Sequence, residues 1–340
     1  MPLALRVLAV WLVGAALLLL ALEGALALAL RAEPEAGAGG DAWRRARRDY
    51  YQRHERHIVQ YLPECAHYDP RLAYRLKPGA CRFRNREFDH EIIVNSAGLR
   101  DTEAALAAPR IVVAGDSFAM GWGVAQPQAL PALLGELTGE PTLNAAQPSY
   151  GSARQLLLLR TLDLTAAHTL VIQYCENDFI ENARYLKHGG ELETMPRDEY
   201  EATLRRHRAD TAYWPGKHLR TFAPLLWRAW RGRDVAPDAY EPDCELEAQV
   251  FRSVLWHAVP DLPPLRLVVL EAMYSPDRRS CFVDALARET LPGWVRELHR
   301  IDTTALLDAD DYYPLDEHWN ASGHREVARA IAARLGGGAP

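Results

Sequence analysis

The sequence predicts an α/β fold in which a parallel sheet is covered by helices on both faces. Three observations lead there. Apolar, β-branched runs recur at 111–115, 169–174 and 265–271, each bounded by turn residues, and read as buried strands. Segments of helical period separate them, and strands alternating with helices are the mark of βαβ units. The chain has 340 residues, 49% hydrophobic and 25% charged, enough for one large domain with appendages.

Taken in order, the first element is not globular. Val7 to Leu30 is apolar except for Glu23, and 24 such residues suffice for a helix across a hydrocarbon core of about 30 Å. Residues 1–31 are therefore expected to form an uncleaved membrane anchor. The Ala-Leu-Ala repeats near 25–29 leave a cleaved signal sequence as the alternative. Ala32 to Gly40 is small and acidic, a linker. Trp43, Ala46, Tyr50, His54, His57 and Tyr61 then recur at helical spacing, as in a membrane-proximal stalk helix that Pro63 ends. Its arginines suit contact with anionic headgroups. Pro78-Gly79 and the run Phe88 to Val94 predict a small β-hairpin within 71–95. Residues 32–105 thus form a lead-in, and 106–340 the main domain.

In that domain, strand 111–115 leads to a helix near 127–138. A short strand at Thr142–Ala145 leads to a helix near 152–164. Strand 169–174 precedes an insertion, 179–260, whose Tyr185, Tyr200, Tyr213, Trp214, Trp227 and Trp230 are expected to pack an added helical layer, with stacking on a sugar-like acceptor as the alternative. Strand 265–271, a helix near 283–297, a short strand near 299–302 and a final helix at about 319–335 complete it.

Function classes narrow by exclusion. A net charge of -6 gives no reason to expect nucleic acid as a partner. No repeat or long low-complexity tract is present. Asp308, Asp310 and Asp311 read as a solvated acidic loop, without the histidine spacing of a metal site. No metal or cofactor is expected.

The chemistry concentrates in a few places. Gly115-Asp116-Ser117-Phe118 follows the first strand and delivers a serine to its carboxyl end, where open α/β sheets place ligands. Asn177-Asp178 follows the strand at 169–174. Asp316-Glu317-His318-Trp319-Asn320 comes roughly 200 residues after the serine. A serine hydroxyl is a weak nucleophile unless a base takes its proton, and a neutral imidazole is such a base near working pH. Asp316 is placed to hold the imidazole Nδ1–H, leaving Nε2 for Ser117. Asp116 and Asp178 are expected to fix loops, Gly121-Trp122-Gly123 to shape the acyl pocket, and His324 to be structural or on the surface.

The order Gly-Asp-Ser-Phe, Gly151, Asn177-Asp178 and Asp316-x-His318 resembles the successive blocks of the SGNH (GDSL-like) hydrolases, over about Arg110 to Leu335. The lead-in Asn95-Ser96-Ala97-Gly98-Leu99-Arg100-Asp101 is similar to that of membrane-anchored members. Phe118 stands in place of the name-giving leucine, and Cys175 where glycine is usual. The resemblance implies a three-layer α/β/α sandwich with a flavodoxin-like sheet. It also implies an oxyanion hole made of the Ser117 N–H, the Gly151 N–H and the Asn177 side-chain amide. The activity implied is a serine esterase acting on an acyl ester, by default a small acyl group such as acetyl on a carbohydrate. An O-acyltransferase using the same triad and a non-catalytic glycan-binding module are the rival readings.

Two signals bear on compartment, and they conflict. Arg31, Arg44, Arg45, Arg47 and Arg48 follow the apolar span, which by the positive-inside rule puts the body in the cytoplasm. Five cysteines suit an oxidising compartment. The resemblance to anchored, exported members favours the outside, and pairing by proximity in sequence then makes Cys65–Cys81 and Cys244–Cys281 the expected disulfides, with Cys175 free. Four cysteines allow three pairings.

Overall fold

The computed structural model describes residues 2–32, 38–175, 177–232, 243–273 and 281–336. The chain begins with helices α1 (Leu3–Ala29) and α2 (Ala38–His54). Two antiparallel strand pairs follow, β1 (Ala66–Asp69) with β2 (Ala73–Leu76), and β3 (Gly79–Arg84) with β4 (Asp89–Val94). Next come β5 (Ile111–Ala114), the one-turn helix α3 (Ser117–Met120), α4 (Leu130–Thr138), β6 (Thr142–Asn144), α5 (Ser152–Leu159) and β7 (Thr169–Cys175). Four helices succeed β7: α6 (Asp178–Lys187), α7 (Arg197–Thr211), α8 (Lys217–Trp230) and α9 (Cys244–Ala258). The chain ends with β8 (Leu265–Ala272), α10 (Phe282–Leu286), β9 (Val295–Ile301) and α11 (Ala321–Leu335).

By contacts these elements fall into two units, Met1–Arg56 with Arg206–Tyr240 and Pro314–Asp316, and His57–Arg205 with Glu241–Tyr313 and Glu317–Pro340. The larger unit is built on a five-stranded parallel sheet in the order β6-β5-β7-β8-β9. Numbering these strands along the chain gives 2-1-3-4-5, the flavodoxin-like order, with its switch point between β5 and β7. Side chains alternate across the sheet as a period of two requires. Val112, Leu170, Ile172, Leu267 and Val269 face a core with α5, α9 and α10. Ile111, Val113, Val171, Val268 and Leu270 face a second core with α4 and α11. Two apolar faces, each covered by helices, make the three-layer sandwich that the strand runs imply. All seven residues of β7 are buried, which is why it reads as a mostly apolar run.

The lead-in holds two strand pairs rather than one hairpin. Cys65 and Cys81 are joined by a disulfide, Cα atoms 5.4 Å apart, which ties the approach to β1 to strand β3. Cys244, at the start of α9, is joined to Cys281, just before α10, and Cys175 is free and buried in β7. The segment expected as a helix over 283–297 is helical only through Leu286. Pro292-Gly293 ends any continuation, and Val295 already begins β9. The acidic loop is not wholly solvated. The Asp308 side chain caps the turn Ala309–Asp311, and Asp311 is buried as the reciprocal half of that capping box.

The smaller unit has its own core. Leu30 of the chain just past α1, Ala42, Ala46 and Tyr50 of α2, and Phe222, Leu225 and Ala229 of α8 form one buried cluster. Glu23, the lone acid of the apolar helix α1, is buried here too. Its carboxylate accepts the backbone N–H groups of His218 (3.0 Å) and Leu219 (2.9 Å) in the first turn of α8. A helix start leaves such donors without intrahelical partners, so Glu23 serves as the cap that α8 lacks in its own sequence. Of the expected linker, residues 33–37 lie outside the described ones, and so does the stretch 233–242 of the insertion. Within the insertion, Tyr185 and Tyr200 are buried in the larger unit, whereas Tyr213, Trp227 and Trp230 are exposed.

Candidate active site

The strand β5 ends at Ala114, and the chain turns at once into α3. Glycine is required at 115, because a Cβ there would meet the Ala119 Cβ and the Gln173 Oε1, each at 2.6 Å. Asp116 caps α3 by accepting the Phe118 N–H at 2.8 Å. Gln173, the one amide side chain in β7, accepts the backbone N–H groups of Asp116 (2.9 Å) and Ala119 (3.3 Å). Strand β7 thereby holds the turn on the neighbouring strand, and Ser117 is fixed as the first residue of α3 at the sheet's switch point.

His318 reaches this serine from just before α11. Ser117 Oγ and His318 Nε2 are 2.8 Å apart, hydrogen-bond distance, and both residues are buried. The imidazole lies against two rings. Trp122 stacks on it at 5.0 Å between centroids with an 18° interplanar angle, and Phe118 packs at 4.6 Å. These contacts restrict the ring to a narrow range of orientations. The loop carrying Trp122 is itself tied down by buried Arg100, whose guanidinium donates to the carbonyls of Gly121 and Val124. Burial lowers the Arg100 pKa to about 10, which still leaves it charged at neutral pH.

The backbone around the histidine forms a closed loop. Glu317 N–H donates to the Tyr313 carbonyl and Tyr313 N–H to the His318 carbonyl, both at 2.9 Å, while Glu317 adopts φ +64°. Asp316 sits in this loop two residues before His318 and is fully buried. His324 is buried and structural, its Nδ1 accepting the Leu130 N–H at 3.2 Å. Burial lowers its pKa to about 3, so it stays neutral.

The expected oxyanion donors follow β6 and β7. Gly151 is the N-cap of α5 and Asn177 that of α6. Asn177 is exposed and, with Arg154, Ile180, Glu181 and Arg184 among others, lines a cavity of about 230 Å³. A carboxylate borders this place, and the motif order gave no hint of it. Glu181 lies so close that a Cβ on Gly151 would meet its Oε1 at 2.8 Å. Burial raises the Glu181 carboxyl, against the pull of the Arg154 guanidinium with which it forms an ion pair. Asp116 and Asp178 play the fixing roles expected of them. Ser152 donates to the Asp178 carboxylate, and burial together with the Asp116 charge raises Asp178 well above the usual carboxylate range. Burial also pushes Asp116 up to about 6.

Among the described residues no cluster of metal-ligating side chains occurs. The residues beyond the reach of motif reading are Gln173, Trp122 as a platform for His318, and Glu181. Gln173 alone carried a signal, a single amide within a run of buried apolar residues.

The fold is a parallel sheet in flavodoxin-like strand order with helices on both faces, with the serine after the first strand of the sheet and the histidine before the last helix. No protein-family model and no curated protein matches the chain. Among solved structures it is similar to the lipase Lip_vut3 from a goat rumen metagenome, at 14% identity over 66% of this chain and 96% of the other, TM-score 0.32. It is also similar to a protein of the G-D-S-L family of lipolytic proteins from Desulfitobacterium hafniense DCB-2, at 13% identity over 66% and 98%, TM-score 0.28.

Proposed function

We propose that this chain is a serine carboxylic ester hydrolase, held at a membrane by α1 with its catalytic domain on the extracytoplasmic side. The observation that carries the enzymatic reading is the 2.8 Å approach of Ser117 Oγ to His318 Nε2 at the switch point of the sheet. In this reading His318 takes the Ser117 proton as Oγ attacks the acyl carbon. Asp316 accepts the Nδ1–H and stabilises the imidazolium. The oxyanion is met by the N–H groups of Ser117 and Gly151 and the amide of Asn177, any one of which is worth about 10²–10³ in turnover. His318 then protonates the departing alcohol, and the acyl-Ser117 ester is cleaved by water that gives its proton to the same imidazole. The products are a carboxylic acid and the free serine. A small acyl group on a carbohydrate is the substrate class that the motif resemblance favours.

Anchoring is supported by the length and apolarity of α1, mean hydropathy 2.5 over its best window. Glu23 and Leu26 within it, and Leu30 just past it, pack against the rest of the smaller unit, which favours a retained helix over a cleaved one. The two disulfides favour an oxidising compartment.

The test is hydrolysis of p-nitrophenyl acetate by the full chain in detergent, with labelling by a fluorophosphonate. Labelling is expected at Ser117. Ser117→Ala should abolish both, and Asp316→Asn should lower kcat by about 10³–10⁴ by favouring the wrong imidazole tautomer. Turnover by Ser117→Ala within tenfold of the parent would remove the serine from its role.

A further inference from the structure

We propose that Tyr51, on helix α2, is a positioning residue for Asp316, so that the stalk helix is part of what holds the catalytic acid. The proposal rests on the triad reading above and adds a residue that no motif marks. Both side chains are fully buried, and the Tyr51 hydroxyl donates to Asp316 Oδ2. The next residue on the helix grips the backbone of the same segment. Gln52 Nε2 donates to the Leu315 carbonyl at 2.6 Å and to the Asp316 carbonyl at 3.3 Å. One turn of α2 therefore fixes the acid by its side chain and by its main chain, across 265 residues of sequence.

The physical effect follows from what a triad acid must do. It offers one oxygen to the imidazole Nδ1–H in a fixed direction and keeps its negative charge. A phenol hydroxyl on Oδ2 occupies that oxygen with a charge-assisted bond and leaves Oδ1 as the acceptor for the ring. It also draws charge from the carboxylate, which tempers the stabilisation of the imidazolium. Without the hydroxyl, the acid can rotate, and its undiluted charge holds the imidazolium more strongly. Turnover then falls while the base pKa rises. Asp116 and His324 also interact electrostatically with His318. Neither is altered by a change at Tyr51.

The experiment uses the full chain in detergent with p-nitrophenyl acetate, comparing the parent with Tyr51→Phe and Gln52→Ala. Tyr51→Phe is expected to lower kcat about 10- to 100-fold, the range typical of partners that orient a working side chain. KM should stay within about twofold, and the acid limb of kcat/KM should move to higher pH by about half a unit or more. Gln52→Ala should lower kcat less, in the same direction. A purely structural role would reduce the folded fraction, counted by fluorophosphonate titration, and leave kcat per labelled site and the acid limb where they were. That result in Tyr51→Phe overturns the proposal. If Tyr51→Phe does not fold, parental kcat and acid limb in Gln52→Ala overturn it. A parent chain that is not labelled at Ser117 removes the esterase reading and this role with it, whereas a labelled parent beside an unaffected Tyr51→Phe removes the role of Tyr51 alone.

Discussion

Gln173 lies in the buried strand β7, yet it governs the turn that presents Ser117. Its Oε1 accepts two backbone N–H groups of that turn, and both would be left without this acceptor in Gln173→Leu. Each buried donor so stranded costs about 1–3 kcal/mol. The expected outcome is a drop in thermal midpoint of several degrees, with kcat for p-nitrophenyl acetate falling further than the loss of folded protein explains. An unchanged midpoint would mean that another group takes over the two donors. His324 offers a second test at this scale. Its pKa falls from 6.5 to about 3 on folding, so between those values the unfolded chain binds the extra proton and stability declines as pH is lowered. From pH 7 to pH 5 this amounts to about 2 kcal/mol. His324→Gln can keep an acceptor for the Leu130 N–H and does not titrate, so its thermal midpoint should fall less than the parent's over that interval. Equal falls would sink the assignment. Ser117 and His318 were legible because motif order marks them. Trp122 as a platform for His318 and Tyr51 act through partners that only the folded chain supplies, whereas Gln173 showed in the sequence only as a single amide in an apolar run.

Elements were legible in proportion to how fully they are buried. Strands β5, β7 and β8 match the apolar runs almost to the residue, since strands covered on both faces can hold little else. β9 was displaced because it is an edge strand with a half-exposed pattern, and Arg296, Glu297 and Arg300 on it read as a helix surface. The disulfide pairs followed proximity in sequence, and the structure places both. Non-reducing peptide mapping should recover Cys65–Cys81 and Cys244–Cys281 with Cys175 free. Cys65→Ser with Cys81→Ser should cost about 3 kcal/mol of stability, the loop-closure value for a separation of 16 residues. Mapping that finds five free thiols would reverse both the pairing and the compartment.

For the whole molecule, the telling residue is the lone acid of the apolar N-terminal helix. In the sequence it was only an exception to a run, because its partners, His218 and Leu219, are almost two hundred positions away. Glu23→Leu should uncap α8 at a cost of about 1–2 kcal/mol, with Glu23→Gln milder because its amide oxygen still accepts. Limited proteolysis of the detergent-solubilised chain should cut faster around Tyr213 to Arg220 in Glu23→Leu, and an unchanged cleavage rate would deny the cap. Mass spectrometry of the purified protein should find residues 23–30 still attached.

That cap also sets a clock on biogenesis. Glu23 leaves the ribosome 195 residues ahead of the first N–H group that will satisfy it. At about 5–20 residues per second of synthesis, the wait is roughly 10–40 s. Throughout it, an apolar helix carries an acid with no partner from α8, an interval in which insertion machinery or a chaperone has time to hold it and a quality-control protease has time to find it.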